Sequence, residues 1–215
     1  MSSTALDGRS FDAVVIGASA GGVEALSVLL SALPADFSAA VIAVLHLPPG
    51  RPSLLVDIFS RKCAVPVLEA VDKDPITAGS VYFAPPDYHL LVDAGPHGPQ
   101  FALTVDPLIN YSRPAIDPLF ESAADLWADR LLGIVLTGAS HDGAGGLQAV
   151  LAHGGAALVQ DPASAQVPVM PQAAADRCPS APRLSLAQIA DALRADTLRG
   201  LAPPIPAAQA ASNRN

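Results

Sequence analysis

Lysine is almost missing from this chain of 215 residues: Lys62 and Lys73 are the only two, and the formal net charge is −8. A phosphate backbone is held by dense lysine and arginine, so the balance argues against nucleic acid as a partner. Cysteine is as scarce. Cys63 and Cys178 form neither a C-x-x-C unit nor part of a metal-ligand set, which makes a reduced, cytoplasmic setting the default. No apolar run reaches the roughly 18 residues of a membrane span, and no basic segment leads into an apolar stretch at the start. Neither membrane insertion nor a secretory signal is expected. The five histidines are scattered without an H-x-x-x-H pair, which weakens any metal reading. Aromatic residues reach only 5%, leaving the core to Ala, Val, Leu and Ile.

What the chain has is aliphatic: 51% of its residues are hydrophobic, enough for one substantial domain with a buried parallel sheet. Strand-like and helix-like runs alternate. Strands are expected at Phe11–Ile16, Ala40–Leu45, Val65–Glu69, Val81–Ala84, Leu131–Leu136 and Ala156–Gln160. Helices are expected from about Val23 to Leu33, Pro52 to Arg61, Asp117 to Asp129, Gly143 to His153 and Leu186 to Ala195. Asp117-Pro118 reads as an N-cap followed by proline at the first helical position. The runs from Tyr88 and Phe101 flank the turn cluster Ala94–Pro99 and read as an antiparallel hairpin. The expected fold is therefore α/β: a doubly wound, mostly parallel sheet with an antiparallel hairpin at one edge. Residues 1–10 and 200–215 read as flexible tails around a single ordered domain at 11–199.

Between the first strand and first helix lies Gly17-Ala18-Ser19-Ala20-Gly21-Gly22. A serine on a tight strand-to-helix turn has the Gly-x-Ser-x-Gly form of a nucleophile elbow. The turn pushes Oγ outward, and the helix N-terminus behind it favours developing negative charge. The same turn also suits a phosphate cradle, or a serine that only caps a helix. The dinucleotide and Walker patterns, however, are not matched.

Two other strand ends carry complementary chemistry. His46 follows AVIAVL directly, and Asp142 follows LLGIVL in the loop Thr137–Gly143. Nucleophile, base and orienting carboxylate are the set that acyl transfer requires, and sites in open α/β sheets form beyond the carboxyl ends of strands. His141 is the one rival base. His89 and His153 read as structural, and His97 as a turn residue facing water. The order Ser…His…Asp departs from the α/β-hydrolase order Ser…Asp/Glu…His.

Five blocks in this order, IGASAGGVEAL, VLHLPPG, YFAPPDYHLLV, SRPAIDPLFESAA and LTGASHDGAGGL, resemble the catalytic domain of the chemotaxis protein-glutamate methylesterases over roughly residues 11–195. The resemblance implies a serine hydrolase that demethylates receptor glutamate esters, releases methanol and also deamidates receptor glutamines. It implies Ser19 as nucleophile, His46 as base and Asp142 as the residue that polarises it. Backbone N–H groups of Ala20 and Ala139 become oxyanion candidates, where the family commonly has threonine and methionine. No cofactor is implied. The expected partners are methyl-accepting chemoreceptor helices, with Arg113, Arg51 and Arg61 as docking candidates on an acidic surface. The family's usual form adds an N-terminal receiver domain, and residues 1–10 leave no room for one. An excised domain, or a free-standing enzyme with or without a separate regulatory protein, is therefore expected. A non-catalytic interaction module of the same fold, or an esterase for another protein substrate, are the rival readings.

Overall fold

The structure, a computed structural model, describes Leu6, residues 9–47, Gly50 and residues 52–194. Seven strands make one parallel sheet: β1 (Ala13–Ala18), β2 (Ala40–Leu45), β3 (Val67–Glu69), β4 (Val81–Phe83), β7 (Leu131–Val135), β8 (Ala156–Gln160) and β9 (Arg183–Leu184), in the order β3-β4-β2-β1-β7-β8-β9. β1 and β2 pair from Ala13↔Ala40 to Ala18↔Leu45, and β1 and β7 from Ala13↔Leu131 to Gly17↔Val135. The chain winds outward from β1 to β2 on one side and returns to β7 on the other. The order therefore reverses beside β1, and a crevice opens there at the carboxyl ends.

Both faces of the sheet are covered, which is why β1, β2, β7 and β8 are buried at every position and apolar except at Gln160, whose side chain accepts the Thr137 N–H at 2.8 Å. Val14 and Ile16 face a core with Leu26, Leu29 and Leu30 of α1 (Gly22–Leu30) and Ile189 and Leu193 of α6 (Leu186–Arg194). Ala13 and Val15 face a second core built on Leu119 and Phe120 of α3 (Ile116–Trp127), Leu147 of α4 (Ala144–Ala152) and Met170 of α5 (Val169–Arg177). A short helix, α2 (Leu55–Phe59), adds Leu55 and Phe59 to the first core. Gly17 lacks a side chain because α3 starts directly above it: a Cβ there would lie 2.5 Å from Ile116 Cγ2.

Several expectations are corrected. The hairpin, β5 (His89–Gly95) with β6 (Gly98–Thr104), is a separate two-stranded sheet and not an edge of the main one. Its apolar residues Leu90, Val92 and Phe101 join the α3 core, and Val92 N–H donates to Ser122 Oγ of α3 at 3.1 Å. The parallel edges are already occupied by β3 and β9. Asp117 does not cap α3, whose N-cap is Ala115. α5 and β9 were not anticipated. Within the segment expected to be a loose N-terminal tail, Leu6 is buried and Arg9 donates to Gly154 O at 2.6 Å and Asp129 O at 3.0 Å. Ala195, Arg51 and residues 200–215 lie outside the described residues. No helix among the described residues is long and apolar enough to cross a membrane.

Candidate active site

Ser19 and His46 are the first residues past two paired strands, so sheet register alone brings them side by side. His46 N–H donates to Ala18 O at 3.1 Å, and Ser19 N–H donates to Thr137 O at 2.9 Å. The turn after Ser19 is held by Thr137. The Thr137 hydroxyl donates to Ala20 O at 2.9 Å and accepts the Val167 N–H at 2.9 Å. Gly21 sits at φ 77°, where a side chain would be strained and would meet Gln166. Neither Ala20 nor Ala139 uses its N–H in a hydrogen bond among the described residues, and both residues are exposed.

Asp142 is fully buried, yet its carboxylate is saturated with donors. Oδ2 takes His46 Nε2 at 2.8 Å and Ile116 N–H at 2.6 Å. Oδ1 takes Gly143 N–H at 3.0 Å, Asp117 N–H at 3.2 Å and Asn110 Nδ2 at 3.3 Å. Burial alone would raise this acid. The bonds from His46 and from the Ile116 and Asp117 N–H groups outweigh it and hold the carboxyl below its ordinary value of 3.8. Asp142 is thus a fixed negative charge at the start of α3, where the helix dipole also favours it.

With Nε2–H given to Asp142, the other ring nitrogen of His46 carries the lone pair. That nitrogen, Nδ1, faces the Ser112 hydroxyl at 3.2 Å. Among the described residues Ser19 Oγ makes no hydrogen bond. The expected contact between Ser19 Oγ and His46 is therefore replaced at rest by Ser112, while the expected contact between His46 and Asp142 is present.

Sequence reasoning missed Ser112 and Asn110, and a tight turn explains both. Ile109 and Ser112 exchange two backbone hydrogen bonds, with Asn110 and Tyr111 at φ 49° and 63°, the form of a type I′ turn. The turn aims Asn110 at Asp142 and Ser112 at His46. Its base is fastened by Arg113, whose Nη1 donates to Val105 O at 2.9 Å and Asp106 O at 3.0 Å. The guanidinium expected to dock a partner is thus engaged within the chain; Arg61 is exposed. His89 holds the same loop: it is buried, faces Pro107 O through Nε2 at 3.1 Å and accepts the Ala115 N–H through Nδ1 at 3.2 Å. His141 is exposed and its side chain makes no hydrogen bond among the described residues, while His153 bridges Ala149 O and Asp125 at the surface. A cavity of about 330 Å³ between the hairpin and α3 is lined by His89, Thr104, Asp106, Glu121 and Asp125. None of Ser19, His46 and Asp142 lines it.

Comparison with known proteins settles the family. The profile of CheB methylesterase matches residues 14–193. The chain belongs to the CheB methylesterase family. A protein named "putative protein-glutamate methylesterase/protein-glutamine glutaminase" from Leptospira interrogans is 38% identical over 182 residues, which is 85% of this chain and 93% of that relative. A "protein-glutamate methylesterase/protein-glutamine glutaminase 2" from Caulobacter vibrioides is 40% identical over 166 residues, 77% of this chain and 48% of that longer relative. The chain thus spans about half the length of some CheB relatives. The crystal structure of the Thermotoga maritima CheB methylesterase catalytic domain superposes with a TM-score of 0.82 at 32% identity, covering 86% of this chain and 97% of that one. The CheB fold, a parallel sheet with a separate small antiparallel one, is the fold described above.

Proposed function

We propose that this chain hydrolyses methyl esters of glutamate side chains on chemoreceptor helices in the cytoplasm, and deamidates receptor glutamines by the same chemistry. The observation that carries the reading is His46: it is bonded to a buried, ionised Asp142 and starts one residue beyond the strand pairing that sets it beside Ser19. The relatives' names give the substrate class.

Asp142 keeps His46 in the Nε2–H tautomer, so that Nδ1 serves as base. At rest Nδ1 accepts from Ser112. A bound ester requires Nδ1 to pass from Ser112 to Ser19 Oγ, which breaks no existing Ser19 side-chain bond. Ser19 Oγ then bonds to the ester carbonyl carbon and its proton moves to Nδ1. The oxyanion is met by the Ala20 and Ala139 N–H groups. Collapse breaks the carbon–methoxy bond, and Nδ1 returns the proton to methoxide, releasing methanol. Water, giving a proton to Nδ1, then bonds to the acyl carbon; the bond from that carbon to Ser19 Oγ breaks, Nδ1 returns the proton to Oγ, and the acid is released as a glutamate carboxylate with its proton passing to solvent. With glutamine, ammonia leaves instead.

The test is release of labelled methanol from a methylated receptor fragment. Ser19→Ala is expected to lower the rate by about four to six orders of magnitude while leaving the unfolding midpoint unchanged, because its hydroxyl holds nothing. Retained turnover in Ser19→Ala would exclude covalent serine catalysis. Hydrolysis of a small ester with no methanol from the receptor would move the reading to another protein substrate.

A further inference from the structure

α3 and α4 both begin without a side-chain cap of their own: Ala115 and Gly143 occupy the N-cap positions, and neither supplies an acceptor. Each helix is capped instead by a carboxylate from the other segment. Asp142, just before the start of α4, takes the Ile116 and Asp117 N–H groups of α3 at 2.6 and 3.2 Å. Asp117, in the first turn of α3, takes the Gly143 and Gly146 N–H groups of α4 at 3.0 and 2.6 Å through one oxygen, Oδ1. The Gly143 N–H is shared, since it also donates to Asp142 Oδ1 at 3.0 Å. Small residues make the exchange possible. A Cβ on Gly145 would lie 3.3 Å from Asp117 Oδ2, and one on Gly146 would lie 2.5 Å from Phe120 Cβ and 3.1 Å from Asp117 Cα.

From this reciprocal capping we infer that Asp117 is a positioning residue of the proposed hydrolysis: by capping α4 it fixes the Gly143 turn that carries Asp142, and through Asp142 it fixes His46. The inference rests on the functional reading above for its kinetic consequence, and on geometry alone for its structural one. The N–H groups of a first helical turn have no partner within the helix. Without the Asp117 oxygen, the Gly143 N–H would be left to Asp142 alone and the Gly146 N–H would lose its acceptor. The loop bearing Asp142 would then be free to tilt, and the ring it holds would move with it.

Two carboxylates share one site here, and their environments divide them. Asp142 is paired with His46 and stays ionised. Among the described residues Asp117 has no cationic partner. Burial is the main cause that pushes its carboxyl up to about 6, and the charges of Asp142 and Glu121 add to it against the Gly146 and Gly143 N–H groups. Among the described residues, the charged groups that act on it are Asp142 and Glu121. Losing the Asp117 charge near that pH weakens the two caps, so the state of the α4 start becomes readable by titration.

The experiment combines amide NMR of the whole chain with methanol-release kinetics on wild type, Asp117→Asn and Asp117→Ala. In the wild type, the Gly143 and Gly146 amide signals are expected to titrate together with a midpoint of about 6. Both variants should lose this titration. Both should also shift or lose the downfield His46 Nε2–H signal that reports its bond to Asp142. Asp117→Ala should lower kcat by about 10- to 100-fold with little change in KM, because Asp117 is engaged with the start of α4 and acts through Asp142. Asp117→Asn keeps an acceptor oxygen and should lose less. Wild-type Gly143 and Gly146 amides that share no carboxylate titration at any pH where the chain stays folded would overturn the inference without any variant having to fold. So would a folded Asp117→Ala with the wild-type Nε2–H signal and wild-type kcat. If wild type releases no methanol, the functional reading fails, and the NMR signals still decide the positioning claim.

Discussion

Asp142→Asn tests the candidate site most severely, because a carboxamide can satisfy only half of what this carboxylate holds. Oδ2 faces two donors, His46 Nε2 and the Ile116 N–H, while Oδ1 faces three, from Gly143, Asp117 and Asn110. If the NH2 group takes the Oδ2 place, it points at the Ile116 N–H and forces His46 to accept at Nε2. The ring then carries its proton on Nδ1 and no longer serves as a base. If the NH2 takes the Oδ1 place, it points at three donors. Each buried donor left without an acceptor costs about 1–3 kcal/mol, and partial relaxation leaves a net loss of about 3–5 kcal/mol. For a domain of this size each kcal/mol moves Tm by about 2–4 °C, so Tm should fall by about 10 °C. Turnover should fall by about 10⁴, the scale set by a misplaced tautomer. The sign of the pH dependence is also determined. The folded carboxyl is held below its ordinary 3.8, so its stabilisation is present above that value and is lost as pH falls through the folded value. The gap between wild type and Asp142→Asn should therefore be full at pH 7 and close in acid. Denaturant unfolding with an unchanged m-value, together with methanol release, measures both effects. A variant with wild-type Tm and turnover within about tenfold of wild type would refute the reasoning.

Two further outcomes test the scaffold. Gly17→Ala places a methyl 2.5 Å from Ile116 Cγ2, so it should destabilise by about 1–3 kcal/mol and lower turnover, because Ile116 N–H holds Asp142; an unchanged Tm and rate would show that α3 yields freely. Arg113→Glu should slow receptor ester and small neutral ester alike, with little salt dependence, because its guanidinium is engaged with Val105 O and Asp106 O; a salt-sensitive loss confined to the receptor would restore it as a docking cation.

Central elements of the fold were legible because burial on both faces leaves runs that are almost wholly aliphatic. Ala40–Leu45 is a strand over the whole run AVIAVL, and Leu131–Val135 and Ala156–Gln160 agree within a residue. α5 was not legible: VMPQAAADR carries a proline and three alanines and no clear apolar stripe, and only its place on β8 and α4 makes it a helix. β9 has two residues, too few for any alternation to show. The hairpin was visible as a pair of strands, but what it packs against depends on which sheet edges are already filled.

Ser19, His46 and Asp142 could be selected from the sequence because each chemistry-bearing residue directly follows, or closely follows, a readable strand. Their neighbourhood follows from register: parallel pairing of β1 with β2 and with β7 fixes which strand ends are adjacent, and that pairing is only implicit in the sequence. The local pattern Asp117-Pro118 is a cap by every local rule, yet Asp117 serves α4 while Asp142 caps α3. Ser112 on His46, Arg113 on its own loop and the division of two neighbouring carboxylates depend equally on residues distant in sequence. By itself the sequence determined the aliphatic layers, the strand ends and the chemical types placed on them, because burial and periodicity act on neighbours along the chain. Only the tertiary structure decided which hydroxyl meets the base, which carboxylate caps which helix and which charge survives burial, because those depend on who is adjacent in space.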